Sequence, residues 1–337
     1  MMTLMKKFST IWIILGVAAA LGLCGCQAPR TGAKKVIRLC HSHPADSSSE
    51  IHTAALIFQK YVNDHSNTLE VKIYPANALG EERDVYEGIQ FGSGVTCIIS
   101  GTAILNNFNR KIGVLDLPYL WKNYDHVHRI LDGEVGRIIA KDLEKSGLKA
   151  LVWMDSWGYR NIITSKKDVR TPSDMRGLKI RTIQSPVYVE AINSMGANAT
   201  PMALGEVYSS IQTGVLDGFE HSATIVKANK YYEVCKHIAL TRHCFGPLVF
   251  VYSKREWDKL TDKEKEIVMA GALLARDQER KMGPVQDAEA TAFLKKIGVK
   301  INEIDTTGFR KKALALQDKI AAERGATSLL KMIRAAE

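Results

Sequence analysis

The sequence predicts an α/β protein with two lobes, each built on a mixed, mainly parallel β-sheet. Apolar segments with strand-like and helix-like periods alternate along the chain, which is the pattern of βα units. The 337 residues suffice for two domains of ordinary size. An apolar content of 46% with 24% charged residues is typical of a globular protein.

In the first half of the chain, periodicity and chain-breaking residues define five elements. In order, they are a strand over 36–40, a helix over 50–61, a strand over 69–74, a helix over 81–90 and a strand over 95–99. In the first helix, Ile51, Ala54 and Phe58 recur at helical spacing, whereas residues 69–74 alternate apolar and polar as a half-buried strand does. Pro75 ends that strand, and the glycine-rich segment 92–94 separates the last two elements.

The second half continues the alternation and then becomes helical. We predict strands over 150–154 and 177–183 and a helix over 205–213. From Thr261 onward the chain is mostly helical, because Thr261 and Glu264 form a capping-box pattern ahead of an amphipathic stretch. Long C-terminal helices are therefore expected to span both lobes.

The N-terminus predicts export. Lys6 and Lys7 precede a short apolar run over 11–23, which makes a secretory signal. The run is too short for a typical membrane-spanning helix, and a short buried core helix is the alternative. The segment Leu23-Cys24-Gly25-Cys26 resembles the lipobox of bacterial lipoproteins.

This resemblance implies a signal peptide over 1–25, a lipid on Cys26 and a tether over 26–35. The acyl chains on Cys26 would anchor the protein to the membrane. Signal cleavage without lipid remains the alternative. The mature chain is therefore expected outside the cytoplasm, anchored to a membrane.

Charge and cysteine content exclude several classes of protein. The formal net charge is +10, and loss of the two lysines of the signal leaves +8. The basic residues are not interleaved with aromatic residues, so we predict no nucleic-acid partner. Cys40, Cys97, Cys235 and Cys244 form no C-x-x-C pair, which argues against structural zinc. Cys40 and Cys97 are expected as buried hydrophobes, and a Cys235–Cys244 disulfide is a minor alternative.

Four segments in the middle of the chain follow one another at short spacing. They are Gly158-Tyr-Arg-Asn161, Thr171-Pro-Ser-Asp-Met-Arg-Gly-Leu-Lys-Ile-Arg181, Gly196-Ala-Asn-Ala-Thr-Pro-Met202 and Gly205-Glu-Val-Tyr-Ser-Ser-Ile-Gln-Thr-Gly-Val-Leu-Asp-Gly218. With Leu79-Gly-Glu-Glu-Arg83 and Asp116-Leu-Pro-Tyr119, they resemble the solute-binding subunits of tripartite ATP-independent periplasmic (TRAP) transporters, the DctP family.

The resemblance implies a two-lobed periplasmic-binding-protein fold that captures a small carboxylate-bearing solute between its lobes. The implied lobe I covers 36–157 and 247–286, and lobe II covers 158–246 and 287–337. The implied partners are membrane permease subunits of the transporter, and the protein is expected to be a monomer without cofactor or metal. A binding protein of an ATP-driven importer lacks the Thr171 to Arg181 pattern.

Arg181 is the strongest candidate for ligand binding. It lies near the carboxyl end of the strand predicted over 177–183, where open α/β sheets bind ligands. A guanidinium binds a carboxylate through two parallel hydrogen bonds, so it selects both charge and orientation. The family resemblance implies this role for Arg181, and a surface salt bridge is the alternative.

The resemblance implies further ligand contacts. Besides Arg181, they come from Arg160, His221, Glu82, Ser100, Ser42, His43, Gln184 and Phe219. A second arginine, Arg160, is expected to raise affinity for anions. The acidic Glu82 is suited to ligand hydroxyls, which favours a sugar acid such as a uronate or aldonate over a C4-dicarboxylate. His243 matches a family histidine that is structural or couples to hinge closure.

His221 departs from the family pattern, in which asparagine is common at this position. A histidine is expected to donate to the ligand and to respond to pH near neutrality, unless it is only packed in the core.

The rival class is an exported metalloenzyme that uses His41 and His43, with Asp46 or His52 as a third ligand. The chain contains no H-E-x-x-H or G-x-S-x-G motif, so we expect no enzyme activity.

Overall fold

The computed structural model describes residues 33–46, 49–155 and 157–336. The predicted signal segment 1–25, Cys26 and most of the tether lie outside these residues. From Lys34 onward the chain packs as one compact unit.

Two sheets and a set of helices make up the described residues. The strands are β1 (Lys35–Cys40), β2 (Leu69–Tyr74), β3 (Cys97–Gly101), β4 (Leu148–Met154), β5 (Tyr159–Thr164), β6 (Lys179–Thr182), β7 (Asn198–Pro201), β8 (Gly218–His221), β9 (His237–Phe245), β10 (Leu248–Ser253) and β11 (Lys300–Asn302).

The α-helices of the same part of the chain are α1 (Glu50–His65), α2 (Glu82–Phe91), α3 (Thr102–Leu105), α4 (Tyr124–Leu131), α5 (Glu134–Leu143), α6 (Pro186–Met195), α7 (Val207–Gln212), α8 (Ala223–Ala228), α9 (Lys254–Asp258), α10 (Asp262–Lys296), α11 (Thr307–Glu323) and α12 (Thr327–Ala335).

The predicted α/β class is confirmed, and both sheets are mixed. The first sheet has the order β2-β1-β3-β10-β4. Its β1 is parallel to β2 and β3, while β10 is antiparallel to β3 and β4. The second sheet has the order β11-β9-β5-β8-β6-β7, with β5 antiparallel to both of its neighbours. The antiparallel strands arise because distant segments of the chain return into each sheet, which local periodicity does not reveal.

Individual elements differ from the predictions mainly at their ends. The helix predicted over 205–213 is a short 3₁₀ turn, Leu204–Glu206, followed by α7. The strand predicted over 177–183 begins later, since Gly177 has φ +81 and forms the turn before β6. The capping box of α10 is present: the Thr261 hydroxyl accepts from the Glu264 amide at 3.2 Å, and the Glu264 carboxylate accepts from the Thr261 amide at 2.8 Å.

α10 connects the cores of both sheets. Val268 and Ala275, in its first half, pack in the core of the first sheet, while Ala290 and Leu294 pack in a core of the second. This agrees with a long helix that spans both lobes.

The C-terminal helices also contact both cores. Phe309 of α11 packs with strands of the second sheet, whereas Leu330 and Ile333 of α12 pack in the first core. The part of the chain implied to belong to lobe II, 287–337, thus packs on both sheets, and the lobe boundaries stay a prediction.

The four described cysteines are free and buried. Cys40 and Cys97 lie on the adjacent strands β1 and β3, as small core residues. Cys235 and Cys244 are therefore not joined in a disulfide. No helix among the described residues is long and apolar enough to cross a membrane.

Candidate functional site

Arg181 is a buried cation without a carboxylate partner. It lies on β6 between β7 and β8, and its side chain is 2% exposed. Its Nε and Nη2 both donate to the carbonyl oxygen of Met202, at 2.9 and 2.7 Å. Among the described residues, no carboxylate accepts a hydrogen bond from it. Burial lowers the pKa of Arg181 to about 10, so the guanidinium stays charged at neutral pH.

Arg160, by contrast, is fully paired. Its Nε and Nη2 donate to the two carboxylate oxygens of Glu220, at 2.5 and 2.7 Å, and both side chains are completely buried. The rings of Trp157 and Tyr188 lie 5.2 and 5.1 Å from its guanidinium carbon. Burial favours the neutral form of each group, but their mutual attraction outweighs it. The pKa of Glu220 therefore falls to about 2, and that of Arg160 lies above its usual value.

Arg160 and Arg181 therefore do not both present an unpaired charge to the site, and the higher affinity for anions expected from Arg160 stays a prediction. The pairing of β5 with β8 brings Glu220 next to Arg160, and the carboxylate neutralises the guanidinium. The ligand contact predicted for Arg160 stays a prediction, and the one guanidinium nitrogen not used by Glu220, Nη1, points to His221 at 3.3 Å.

Glu82 is hydrogen-bonded to two other predicted ligand residues. Glu82 is the first residue of α2 and is 8% exposed. Its Oε1 accepts from the hydroxyls of Ser100, on β3, at 2.6 Å and of Ser42, after β1, at 3.3 Å. Burial raises the pKa of Glu82, although both hydrogen bonds oppose this effect. Glu82 and Arg181 line the same small cavity, which places them in one site.

His43 is held by a residue that the sequence analysis missed. The indole N–H of Trp157 donates to His43 Nε2 at 3.3 Å, so the imidazole proton belongs on Nδ1, 3.0 Å from the Ser49 hydroxyl. Burial lowers the pKa of His43 to about 3, and the ring is neutral. Trp157 directly precedes the Gly158-Tyr-Arg-Asn161 segment, and an aromatic residue beside a binding motif was the available signal.

His221 is a neutral donor or acceptor rather than a sensor of pH. Its Nδ1 accepts from the backbone N–H of Ser222 at 2.9 Å, and its Nε2 lies 3.3 Å from Nη1 of Arg160. Burial, and next the charge of Arg160, hold its pKa well below the usual value. The predicted response of His221 to pH near neutrality is therefore wrong, because burial, and next the charge of Arg160, disfavours the protonated ring.

The remaining predicted residues occupy different surroundings. Gln184 lines a small cavity beside Arg181. Phe219 is completely buried in the apolar core and packs on Tyr231 at 4.7 Å between ring centroids, which we interpret as a structural role. His243 is also fully buried and hydrogen-bonds Thr241, 2.8 Å away, in keeping with its structural assignment.

The cleft at this site is closed. The cavity bounded by Glu82, Arg181 and Met202 measures about 10 Å³, which is room for one water molecule at most. A solute therefore requires the walls to separate first, as in hinge closure around a ligand. A larger groove of about 420 Å³ lies around Arg242 and Asp287 and contains none of the predicted ligand residues.

The histidines of the rival metalloenzyme hypothesis do not converge. His41 contacts His52, with 3.1 Å between Nε2 and Nδ1, while His43 faces Trp157 and Ser49. Both residues follow the end of β1, so the alternation that places i and i+2 on one face does not apply to them. In the described part of the chain, no group of three or more His, Cys, Asp or Glu residues is arranged to hold a metal.

Comparisons with known proteins agree with this geometry. The family model for bacterial extracellular solute-binding proteins, family 7 (DctP), matches residues 41–324. The 2,3-diketo-L-gulonate-binding periplasmic protein YiaO of Escherichia coli is 30% identical over 295 residues, which are 87% of this chain and 89% of that protein.

Two solved structures are similar over nearly their whole length. The TRAP periplasmic solute-binding protein of Citrobacter koseri, with bound D-glucuronate, has a TM-score of 0.83 at 34% identity and covers 90% of this chain and 100% of its own. That of Sulfitobacter sp. NAS-14.1, with bound β-D-galacturonate, has a TM-score of 0.84 at 30% identity and covers 89% and 99%.

These relatives are solute-binding proteins of transport systems, and the prediction that the chain is not an enzyme is confirmed. Family members bind small organic anions and work with membrane permease subunits. The chain belongs to the bacterial extracellular solute-binding protein family 7, the solute-binding subunits of TRAP transporters.

Proposed function

We propose that this TRAP solute-binding protein captures a sugar acid, such as a uronate or an aldonate, and delivers it to its permease. The observation that carries the proposal is Arg181, a buried guanidinium that no described carboxylate neutralises. A buried, unpaired charge is costly, and a ligand carboxylate supplies the missing partner.

The other wall of the site is suited to hydroxyl groups. Glu82, Ser42 and Ser100 provide one carboxylate and two hydroxyls. A carboxylate accepts hydrogen bonds from ligand hydroxyls, while serine hydroxyls both donate and accept. The similar proteins with bound D-glucuronate and β-D-galacturonate support a ligand that combines a carboxylate with several hydroxyls.

A ligand screen by thermal unfolding tests the proposal. The panel contains uronates, aldonates, C4-dicarboxylates, sialic acid and, as a matched neutral control, D-glucose. Ligand at about 100 times its dissociation constant stabilises the folded state by roughly 2.7 kcal/mol. We expect at least one sugar acid, but not glucose, to raise the unfolding temperature. If no carboxylate shifts it, the proposal is wrong.

We further propose that the mature chain begins at a lipid-bearing Cys26 and acts as a membrane-anchored monomer. The lipobox-like segment Leu23-Cys24-Gly25-Cys26 supports this. Mass spectrometry of the N-terminal peptide from membranes should show a diacyl or triacyl cysteine. An unmodified N-terminus after another cleavage site would contradict it.

We also propose that the two lobes close around the solute by a hinge motion. The chain would cross between the lobes at residues 157/158 and 246/247.

A further inference from the structure

The charged side chains at the site leave little net charge for a ligand to neutralise. Arg160 and Glu220 cancel each other through two hydrogen bonds. Arg181 is then the unpaired cation, and two carboxylates line the same small cavity, Glu82 and Glu81, of which Glu81 accepts from the Asn77 amide at 2.8 Å. The rings of His43 and His221 contribute no charge, because both pKa values lie far below neutrality.

We propose that this balance makes the site selective for polyhydroxy monocarboxylates, and that Glu82 is the residue that rejects a second carboxylate. The inference rests on the proposed function, since it names the class of sugar acid that the same site takes. It distinguishes aldonates and uronates from aldarates and C4-dicarboxylates.

The hydrogen bonds of Glu82 support this role. Both of its described bonds end on Oε1, from Ser100 and Ser42, and the described residues place no donor on Oε2. An acceptor oxygen that faces the cavity binds a ligand hydroxyl, which donates a proton. A ligand carboxylate at the same place has no proton to donate and repels Glu82.

Among the described residues that line the small cavity, no cation besides Arg181 is placed to balance a second carboxylate. Of the residues that line the small cavity, Arg83 is the only cation besides Arg181. Its side chain is 52% exposed and its Nε pairs with Glu87 at 3.1 Å. Arg160 is enclosed by Glu220, Trp157 and Tyr188. A dianion would therefore bury one negative charge without a partner in the described part of the site.

The experiment compares acids that differ in one terminal group. The pairs are D-gluconate with D-glucarate, and D-galactonate with galactarate, in which a terminal CH₂OH is replaced by a carboxylate. Dissociation constants are measured by calorimetry with the full mature chain. Within a pair whose monoacid binds, we expect the diacid to bind at least about 10-fold more weakly than the monoacid.

A variant then assigns the selectivity to Glu82. Glu82→Gln keeps the shape and the acceptor for Ser100 and Ser42 but removes the charge. In this variant the difference between monoacid and diacid should narrow to within about threefold. Asp84→Asn is the control, because Asp84 is an exposed carboxylate on the same helix that does not line the cavity; it should keep the wild-type ratio.

The outcomes separate this inference from the proposed function. Equal or tighter binding of a diacid by the wild-type protein overturns the inference and leaves sugar-acid capture intact, and so does an unchanged ratio in folded Glu82→Gln. If neither monoacids nor diacids of this panel or the wider screen bind, both proposals are wrong. Circular dichroism checks that Glu82→Gln folds. If it does not fold, the comparison of monoacid and diacid binding by the wild-type protein still tests the inference.

Discussion

At the scale of single residues, the site depends on the different environments of two arginines. Arg160 has a carboxylate on two of its nitrogens, whereas the hydrogen-bond acceptor of Arg181 among the described residues is a backbone carbonyl. Both side chains are buried, so exposure does not distinguish them. The two guanidinium groups differ in charge neutralisation, because Glu220 pairs with Arg160 and no described carboxylate pairs with Arg181. A ligand carboxylate can therefore neutralise Arg181.

Arg181→Ala should therefore abolish most of the affinity for a sugar acid. Removing one member of a buried, charge-assisted pair costs about 2–5 kcal/mol, which is roughly 30- to 4,000-fold in dissociation constant. Calorimetry with the ligand identified in the screen measures the change.

Arg176→Ala is the matched control for this variant. Arg176 is exposed, lies five residues earlier in the same segment, and has no hydrogen bond from its side chain among those described. Its loss should leave affinity within about twofold of wild type. If Arg181→Ala binds as tightly as this control, the carboxylate is bound elsewhere.

At the scale of elements, local signals predict where helices begin better than how strands associate. The capping box at the start of α10 is read directly from Thr261 and Glu264. Glu264 also accepts from Lys35 of β1 at 2.7 Å and from Thr68 at 2.8 Å, contacts that join the helix start to the first sheet. The sequence does not reveal these, because the partners lie about 200 residues away.

Thr261→Ala should destabilise the protein by about 1 kcal/mol, since the Glu264 amide loses its acceptor. Urea unfolding of the ligand-free protein measures the loss. Thr261→Ser keeps the hydroxyl and should recover most of the stability. Equal destabilisation by serine and alanine would show that the methyl group, and not the cap, is responsible.

At the scale of the whole molecule, buried titratable groups act on stability in opposite directions. Burial lowers the pKa of His43 to about 3, so folding favours the neutral ring. Its contribution is fully present above the usual histidine pKa of about 6.5 and is lost as the pH falls below that value. Burial raises the pKa of Asp116 to about 7, which favours folding at low pH instead. A simple acid titration therefore mixes both effects.

The difference between wild type and His43→Gln isolates the histidine. The free energy of unfolding of wild type minus that of the variant should fall by up to about 1.4 kcal/mol per pH unit as the pH is lowered from 6.5 to 4. Denaturant unfolding at several pH values gives this difference. A constant difference would mean that His43 is protonated equally in the folded and unfolded states.

The sequence by itself determined the α/β class, most of the first-half elements, the capped C-terminal helix and the family. These follow from local periodicity, capping residues and the order of motifs such as Thr171 to Arg181, all of which are properties of neighbouring residues. It also pointed to Arg181 and Glu82 as site residues, whose contact with a ligand stays a prediction.

Only the tertiary structure decided how the charges of the site combine. The Arg160–Glu220 pair, the neutral His221 and the Trp157–His43 contact each depend on residues 60 to 114 positions apart. A side chain's charge and hydrogen bonds depend on burial and on its nearest neighbours in space. The sheet order, with β10 inserted between β3 and β4, sets those neighbours, and no local pattern in the chain encodes that insertion.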